Sequence, residues 1–213
     1  MKFLLPPIIL LFLILLPIPA SSMSEEEVVQ RLRESREKIK DFSADFFQEK
    51  KIFLLKEKIV SKGRIRFRFP NRVFVEFFPP QSMQMAFDGK GILLYFQEEA
   101  IAEYYRIHAH PIAERYLFFT RDPFQKGLAD WRIREERETS LIMEIQPKEK
   151  ESLFTSTRLM VSKGNWMVVG MELLERNGDT TFIRYSNIKT NIGLTESDFE
   201  IRLPKDVKVR EIK

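Results

Sequence analysis

The sequence predicts a mostly β, α+β protein, with roughly ten or eleven antiparallel strands curling into a barrel or half-barrel, one helix in front and a helical insertion in the middle. Three observations carry this. Across residues 59–96 apolar and aromatic side chains recur on alternate positions, the period of strands with one face buried. Turn dipeptides punctuate the chain at Pro70-Asn71, Asp88-Gly89, Gly164-Asn165 and Asn177-Gly178. Helical signals are confined to residues 24–42, residues 112–119 and a short helical turn at 195–198.

Residues 1–22 stand apart from the rest. Met1-Lys2 is a short positive start, residues 3–18 are an apolar run, and residues 19–22 include small side chains of the kind a signal peptidase accepts. The expectation is a cleaved secretory signal peptide, with residues 23–213 forming a single domain; Pro6, Pro7 and Pro17 and the shortness of the run count against a spanning anchor. Ser24-Glu25-Glu26-Glu27 then reads as a capping box. The helix that follows has a narrow apolar stripe through Val28, Leu32, Ile39 and Phe42, completed by Ser35.

Phe42, Ala44 and Phe46 alternate with Ser43, Asp45 and Phe47, so the helix hands directly to a first strand ending near Phe53, with residues 48–51 as its polar exit. In the next strand Gly63, Ile65, Phe67 and Phe69 share a face opposite Lys62, Arg64, Arg66 and Arg68. Val73, Val75 and Phe77 continue the pattern until Pro79-Pro80 ends that strand, and Met83, Met85 and Phe87 share a face of the one after it. Residues 91–97 and 101–107 form a hairpin. Beyond it, residues 112–119 have helical character cut short by Asp122-Pro123 and Gly127, the place for a lid. Strands resume at 131–137, 140–146, 153–162, 166–175 and 181–188, followed by a short turn at 195–198, an alternation through Phe199, Ile201 and Leu203, and an edge strand around Val207 and Val209.

Composition limits the chemistry. The 213 residues carry a formal charge of +4, and losing Lys2 with the leader leaves about +3, too little for a nucleic-acid binder. There is no cysteine, so an exported form lacks both disulfides and the residue that would carry a lipoprotein's lipid, and is expected to be soluble and monomeric. His108 and His110 would share a strand face, but no Asp, Glu or Cys close in sequence completes a metal site. A hydrolase or metal-dependent enzyme built on that pair is the competing reading; no nucleophile elbow, phosphate loop or dinucleotide fingerprint supports one, so neither a catalytic residue nor a cofactor is assigned.

What stands out is apolar surplus. With 19 Phe and 8 Met, the strands at residues 72–78 and 92–96 are apolar on both faces. Something must cover the second face, and the candidates are the two helices and a hydrophobic ligand.

Residues 42–48 (FSADFFQ), the Gly63-x-Ile65-x-Phe67 strand with Phe69-Pro70-Asn71, the Phe87-Asp88-Gly89 turn leading to Leu94-Tyr95, Pro111, and residues 199–207 (FEIRLPKDV) together resemble the LolA family of periplasmic outer-membrane lipoprotein carrier proteins, over essentially the whole mature length. The resemblance implies an unclosed antiparallel barrel with a helical lid, whose interior takes lipoprotein acyl chains. It implies as partners an inner-membrane lipoprotein-releasing ABC transporter and an outer-membrane receptor; a related carrier of another lipid or glycolipid, serving a different exporter, is the alternative. Alternation assigns Phe67, Phe69, Val73, Val75 and Phe77 to the lining, with Met83, Met85 and Phe87 from the next strand and Met167, Val169 and Met171 from the strand near the C-terminus. Leu117, Phe118 and Phe119 are the expected lid contacts. Carriers of this family often place an inward Arg before the Pro that follows the second strand; here that position is Phe69, and the adjacent Arg68 falls on the opposite face.

Overall fold

The computed structural model describes residues 23–106, 124–125, 127–148 and 152–212. The expected leader at 1–22, the lid segment with Leu117, Phe118 and Phe119, and the His108/His110 pair lie outside the described residues.

Helix α1 spans Glu25–Glu37, and the Ser24 hydroxyl accepts the Glu27 N–H at 3.1 Å. That bond satisfies one of the unpaired first-turn donors, while Glu25, Glu26 and Glu27 complement the positive end of the helix dipole. Val28, Val29 and Leu32 bury its inner face. The helix stops before Ile39, so the outer two members of the sequence stripe, Ile39 and Phe42, reach the same apolar layer from the connection and from the first strand.

Twelve strands make one sheet: β1 Asp41–Ile52, β2 Glu57–Arg68, β3 Arg72–Phe77, β4 Met83–Phe87, β5 Gly91–Phe96, β6 Ile101–Arg106, β7 Ala129–Glu136, β8 Ser140–Pro147, β9 Phe154–Ser162, β10 Met167–Glu175, β11 Thr180–Thr190 and β12 Val209–Ile212. Their order is β12-β6-β5-β4-β3-β2-β1-β11-β10-β9-β8-β7, with β7 and β12 as edges, so the sheet is unclosed. It is antiparallel throughout except where β12, the edge strand expected around Val207 and Val209, lies parallel to β6; the alternation through Phe199, Ile201 and Leu203 forms no strand.

The two longest strands form the centre, with Phe46 opposite Gly63 and Gly63 opposite Phe77. A Cβ at Gly63 would overlap the Glu76 carbonyl oxygen and stand 2.6 Å from the Phe46 ring. Without it, Phe46 and Phe77 meet edge to face at 5.2 Å across the glycine. The core fills one face of the sheet, from Ile65, Phe67 and Val75 through Met85 and Leu94 on one wing to Met143, Leu159 and Met171 on the other.

The second apolar face of β3 is covered by the chain's own C-terminal segment. Asp41, buried at the start of β1, accepts backbone N–H groups from Ile192 at 2.7 Å, Gly193 at 3.1 Å and Leu194 at 3.3 Å. The segment then forms a 3-10 turn, Glu196–Phe199, against β3. Arg66 donates to the Asp198 carbonyl at 3.1 Å and lies over the Phe74 ring, while Arg68 stacks on Phe199 and, with Arg72, pairs with Glu196. Phe74 and Phe199 are both buried there. The apolar surplus of β3 therefore needs no ligand to cover it.

Candidate functional site

A cavity of about 890 Å³ lies between α1 and the sheet, at the end where β1 begins and β2 finishes. Leu32 and Ile39 form its helix side; Phe42, Ala44, Leu159, Tyr185 and Ile188 form the sheet side. Trp166, Met167 and Val168 at the start of β10, with Phe69 and Phe124, close the flanks. Arg33, Arg36, Lys40 and Arg68 also border it, with Glu37 and Asp41, so an apolar hollow carries a rim of four cations and two carboxylates.

Two β-bulges aim side chains into this space. On β11 the register with β1 shifts where Asn187 and Ile188 together oppose Ala44, Asn187 taking a positive φ, which brings both Ile188 and Tyr185, three residues apart, to the wall. Asp45 fixes the shift from the other face, accepting the Asn187 amide at 2.8 Å and Arg64 Nε at 2.9 Å. Those hydrogen bonds, Asn187 first and then Arg64, hold the Asp45 carboxyl below the usual carboxylate range. On β10 the register with β9 shifts between Val168 and Gly170. Val168 thereby reaches the cavity while Met171, three residues on, is buried in the core.

The helix is fastened over the hollow by polar contacts along its length. Glu25 accepts the Ile133 N–H at 3.3 Å, Arg33 donates to the Phe124 carbonyl at 3.0 Å, and the Ser35 hydroxyl donates to the Asn165 carbonyl at 2.8 Å. Arg31 lies 5.3 Å from the centre of the Trp166 ring. Arg36 lies 5.2 Å from the centre of the Phe69 ring, which itself meets Phe67 edge to face at 4.6 Å. Phe69, which stands at the position before Pro70, thus supplies a ring to a cation that the helix provides. Arg68 is engaged on the outer side by Leu194 and Glu196.

Of the residues assigned from alternation, Phe69 and Met167 line the cavity. Phe67, Val73, Val75 and Phe77 are packed core, as are Met85, Phe87 and Met171; Met83 is half-buried against that core. Val169 is half-buried and stands away from the cavity wall, where the β10 bulge puts Val168. Sequence reasoning missed the walls from α1, β1 and β11, although Leu32, Ser35, Ile39 and Phe42 fall on one stripe of the sequence, and all four border the cavity. Among the described residues no group of three or more His, Cys, Asp or Glu is placed to hold a metal ion.

An unclosed antiparallel sheet with a helix clasped over an apolar hollow defines a container for a hydrophobic ligand. The chain belongs to the LolA family: the family described as "Outer membrane lipoprotein carrier protein LolA" matches residues 37–202. Its members are carriers rather than enzymes. An outer-membrane lipoprotein carrier protein of Pseudomonas putida KT2440 is 23% identical over 184 residues, 86% of this chain and 88% of the relative. A carrier of the same description from Pseudomonas syringae pv. tomato DC3000 is 32% identical over 65 residues, 30% of each chain. Among solved structures, an uncharacterized conserved protein of Thermus thermophilus superposes with a TM-score of 0.59 at 14% identity, covering 89% of this chain and all of that one. A chain of the Pseudomonas aeruginosa MucA/MucB complex does so with a TM-score of 0.50 at 14% identity, covering 82% of this chain and 60% of that one. At such identities these superpositions speak to the fold alone.

Proposed function

We propose that this protein is a periplasmic carrier that binds the acyl chains of lipoproteins and shuttles them from an inner-membrane ABC transporter to an outer-membrane receptor. In this reading residues 1–22 are a signal peptide removed on export, and residues 23–213 act as one monomeric domain. The observation that carries it is the cavity beneath α1: about 890 Å³, inside the range of roughly 300–1,000 Å³ of sites that enclose small ligands. Burying a chain of about 16 carbons stabilises by on the order of 12 kcal/mol, enough to keep a lipoprotein from aggregating in transit yet transferable to a site that binds better.

Phe69 and Met167 contact the first part of the chain at the cavity wall. Longer or additional chains displace side chains that now fill the sheet beyond it, Met83, Met85 and Met171 before Phe67, Val73 and Val75, because unbranched thioethers repack most easily. Phe77 and Phe87 form the far end of that path, Val169 backs it from the strand, and Leu117, Phe118 and Phe119 close over it. The rim cations Arg33, Arg36 and Lys40 face the polar part of the cargo.

Two experiments test this. Native mass spectrometry of protein isolated from the periplasm should show an added mass equal to a triacylated lipoprotein, and the purified protein should release newly made lipoproteins from inner-membrane vesicles supplied with ATP. Co-purification of a glycolipid or another lipid, with no lipoprotein release, would replace this reading with that of a carrier serving a different exporter.

A further inference from the structure

The far end of the β1–β2 hairpin carries a feature that the cavity does not use. Phe53, Leu54 and Leu55 at its tip are 66%, 82% and 63% exposed, and Ile59 and Val60 on the returning strand are also exposed. The arm outruns its neighbour on one side, since β1 and β2 stay paired out to Ile52 and Glu57 whereas β3 joins β2 only from Gly63 onward. It is also held in place. The Phe53 N–H donates to Asp179 at 3.0 Å, and the Phe53 ring packs on Gly178, where a Cβ would stand 3.0 Å from that ring and the φ of +88° disfavours any other residue. Lys50 bridges Asp179 at 3.2 Å and Glu175 at 3.6 Å, tying the two adjacent turns together. Leu54 and Leu55 are therefore presented outward from a fixed base, so little ordering is left to do on binding.

Charge surrounds this point. Within residues 49–62, Lys50, Lys51, Lys56, Lys58 and Lys62 stand against Glu49 and Glu57, and the adjoining turn adds Arg176 against Glu175 and Asp179, so six positive and four negative side chains leave +2. A handful of apolar side chains on a projecting tip is far below the roughly 800 Å² per partner of a stable protein interface. A bilayer asks for depth rather than breadth: apolar side chains enter the acyl boundary while lysines stay level with anionic headgroups.

We propose that the Phe53-Leu54-Leu55 tip is a membrane-insertion site that docks the protein on an anionic lipid surface. The tip lies about ten residues along β1 from the Phe42 wall, roughly 33 Å at strand rise, so docking leaves the cavity free and does not depend on what the cavity carries.

Flotation of the protein with phosphatidylglycerol/phosphatidylethanolamine vesicles, against pure phosphatidylcholine vesicles, tests this. Wild type and every variant are prepared as residues 23–213, the exported form of the proposed function on which this test rests, so the apolar stretch at 1–22 cannot itself hold the protein to the vesicles. Expected are binding that prefers the anionic vesicles, weakens with added salt and falls roughly a hundredfold in Leu54→Glu/Leu55→Glu. A Leu54→Trp variant should show blue-shifted emission on adding the anionic vesicles, a direct sign of insertion. Equal flotation of wild type and the double variant, or emission from Leu54→Trp that does not move, overturns the proposal. So does a dimer in sedimentation that Leu54→Glu/Leu55→Glu dissolves while neither protein floats, since the tip would then join two copies. Lipopeptide binding measured on the same double variant is expected to persist; its loss in wild type would sink the carrier reading and leave the vesicle result standing.

Discussion

Ile188 sits half-buried on the β11 wall of the cavity, and replacing it with glutamate turns the apolar wall into a pH-dependent barrier. With no chain seated, the new carboxylate can reach solvent through the open hollow and should cost the fold little. With a chain seated, it must give up its water, and the cheapest response is to take a proton. At pH 7 that means protonating a group of ordinary value about 4.3, a gap of about 2.7 pH units at about 1.4 kcal/mol each, or about 3.7 kcal/mol. Acyl affinity should fall roughly 500-fold. At pH 5 the gap shrinks to about 0.7 unit, about 1 kcal/mol, and the loss to roughly fivefold. Titration calorimetry with a diacylated lipopeptide lacking titratable groups isolates the protein's proton from the ligand's. Ile188→Gln should bind more weakly than wild type by an amount that does not change with pH. An Ile188→Glu affinity within about threefold of wild type at pH 7, or a loss that persists at pH 5, would refute the placement of acyl chains against this wall.

Gly63→Ala should destabilise by about 1–3 kcal/mol because its Cβ meets a backbone oxygen that cannot move aside, lowering Tm by roughly 2–12 °C in scanning calorimetry. Arg36→Ala removes the cation from the Phe69 ring; a loss of about 0.5–1 kcal/mol, roughly 1–4 °C in Tm, is expected, with faster amide exchange in the last turn of α1. Asp45 has a folded-state pKa below its unfolded value, so the folded chain binds fewer protons there than the unfolded one. Its contribution is complete above about pH 4 and is lost as the pH falls through the folded value. Asp45→Asn should therefore lower Tm near neutrality and flatten the decline of Tm below about pH 4; an unchanged acid limb would count against the role given to the Asn187 and Arg64 contacts.

Much of the scaffold was legible because its signals are local. The Ser24 cap, the Pro79-Pro80 stop and the Asn177-Gly178 turn each act within a few residues, and the strands they delimit came out in order. The wall of the cavity was not legible, because it is assembled from α1, β1, β2, β9, β10 and β11, and no local pattern says which apolar stripe will be left short of partners. Val168 and Val169 show the second limit. Period-2 reasoning carries inwardness forward from Met167, and one bulge resets it; Gly170 in the strand interior was the available hint. The doubly apolar β3 shows a third: the cover came from residues 192–199, more than a hundred positions away, where Asp41 fastens the returning chain.

That returning chain has a further effect at the sheet's margin. After crossing behind β3 it ends as β12, zipped along β6 from Ala102 to Tyr105, so the terminal residues hem a border that would otherwise offer bare amides and carbonyls to any passing strand. A protein whose work is to hold sticky cargo gains from a fabric that does not itself unravel into sticky thread.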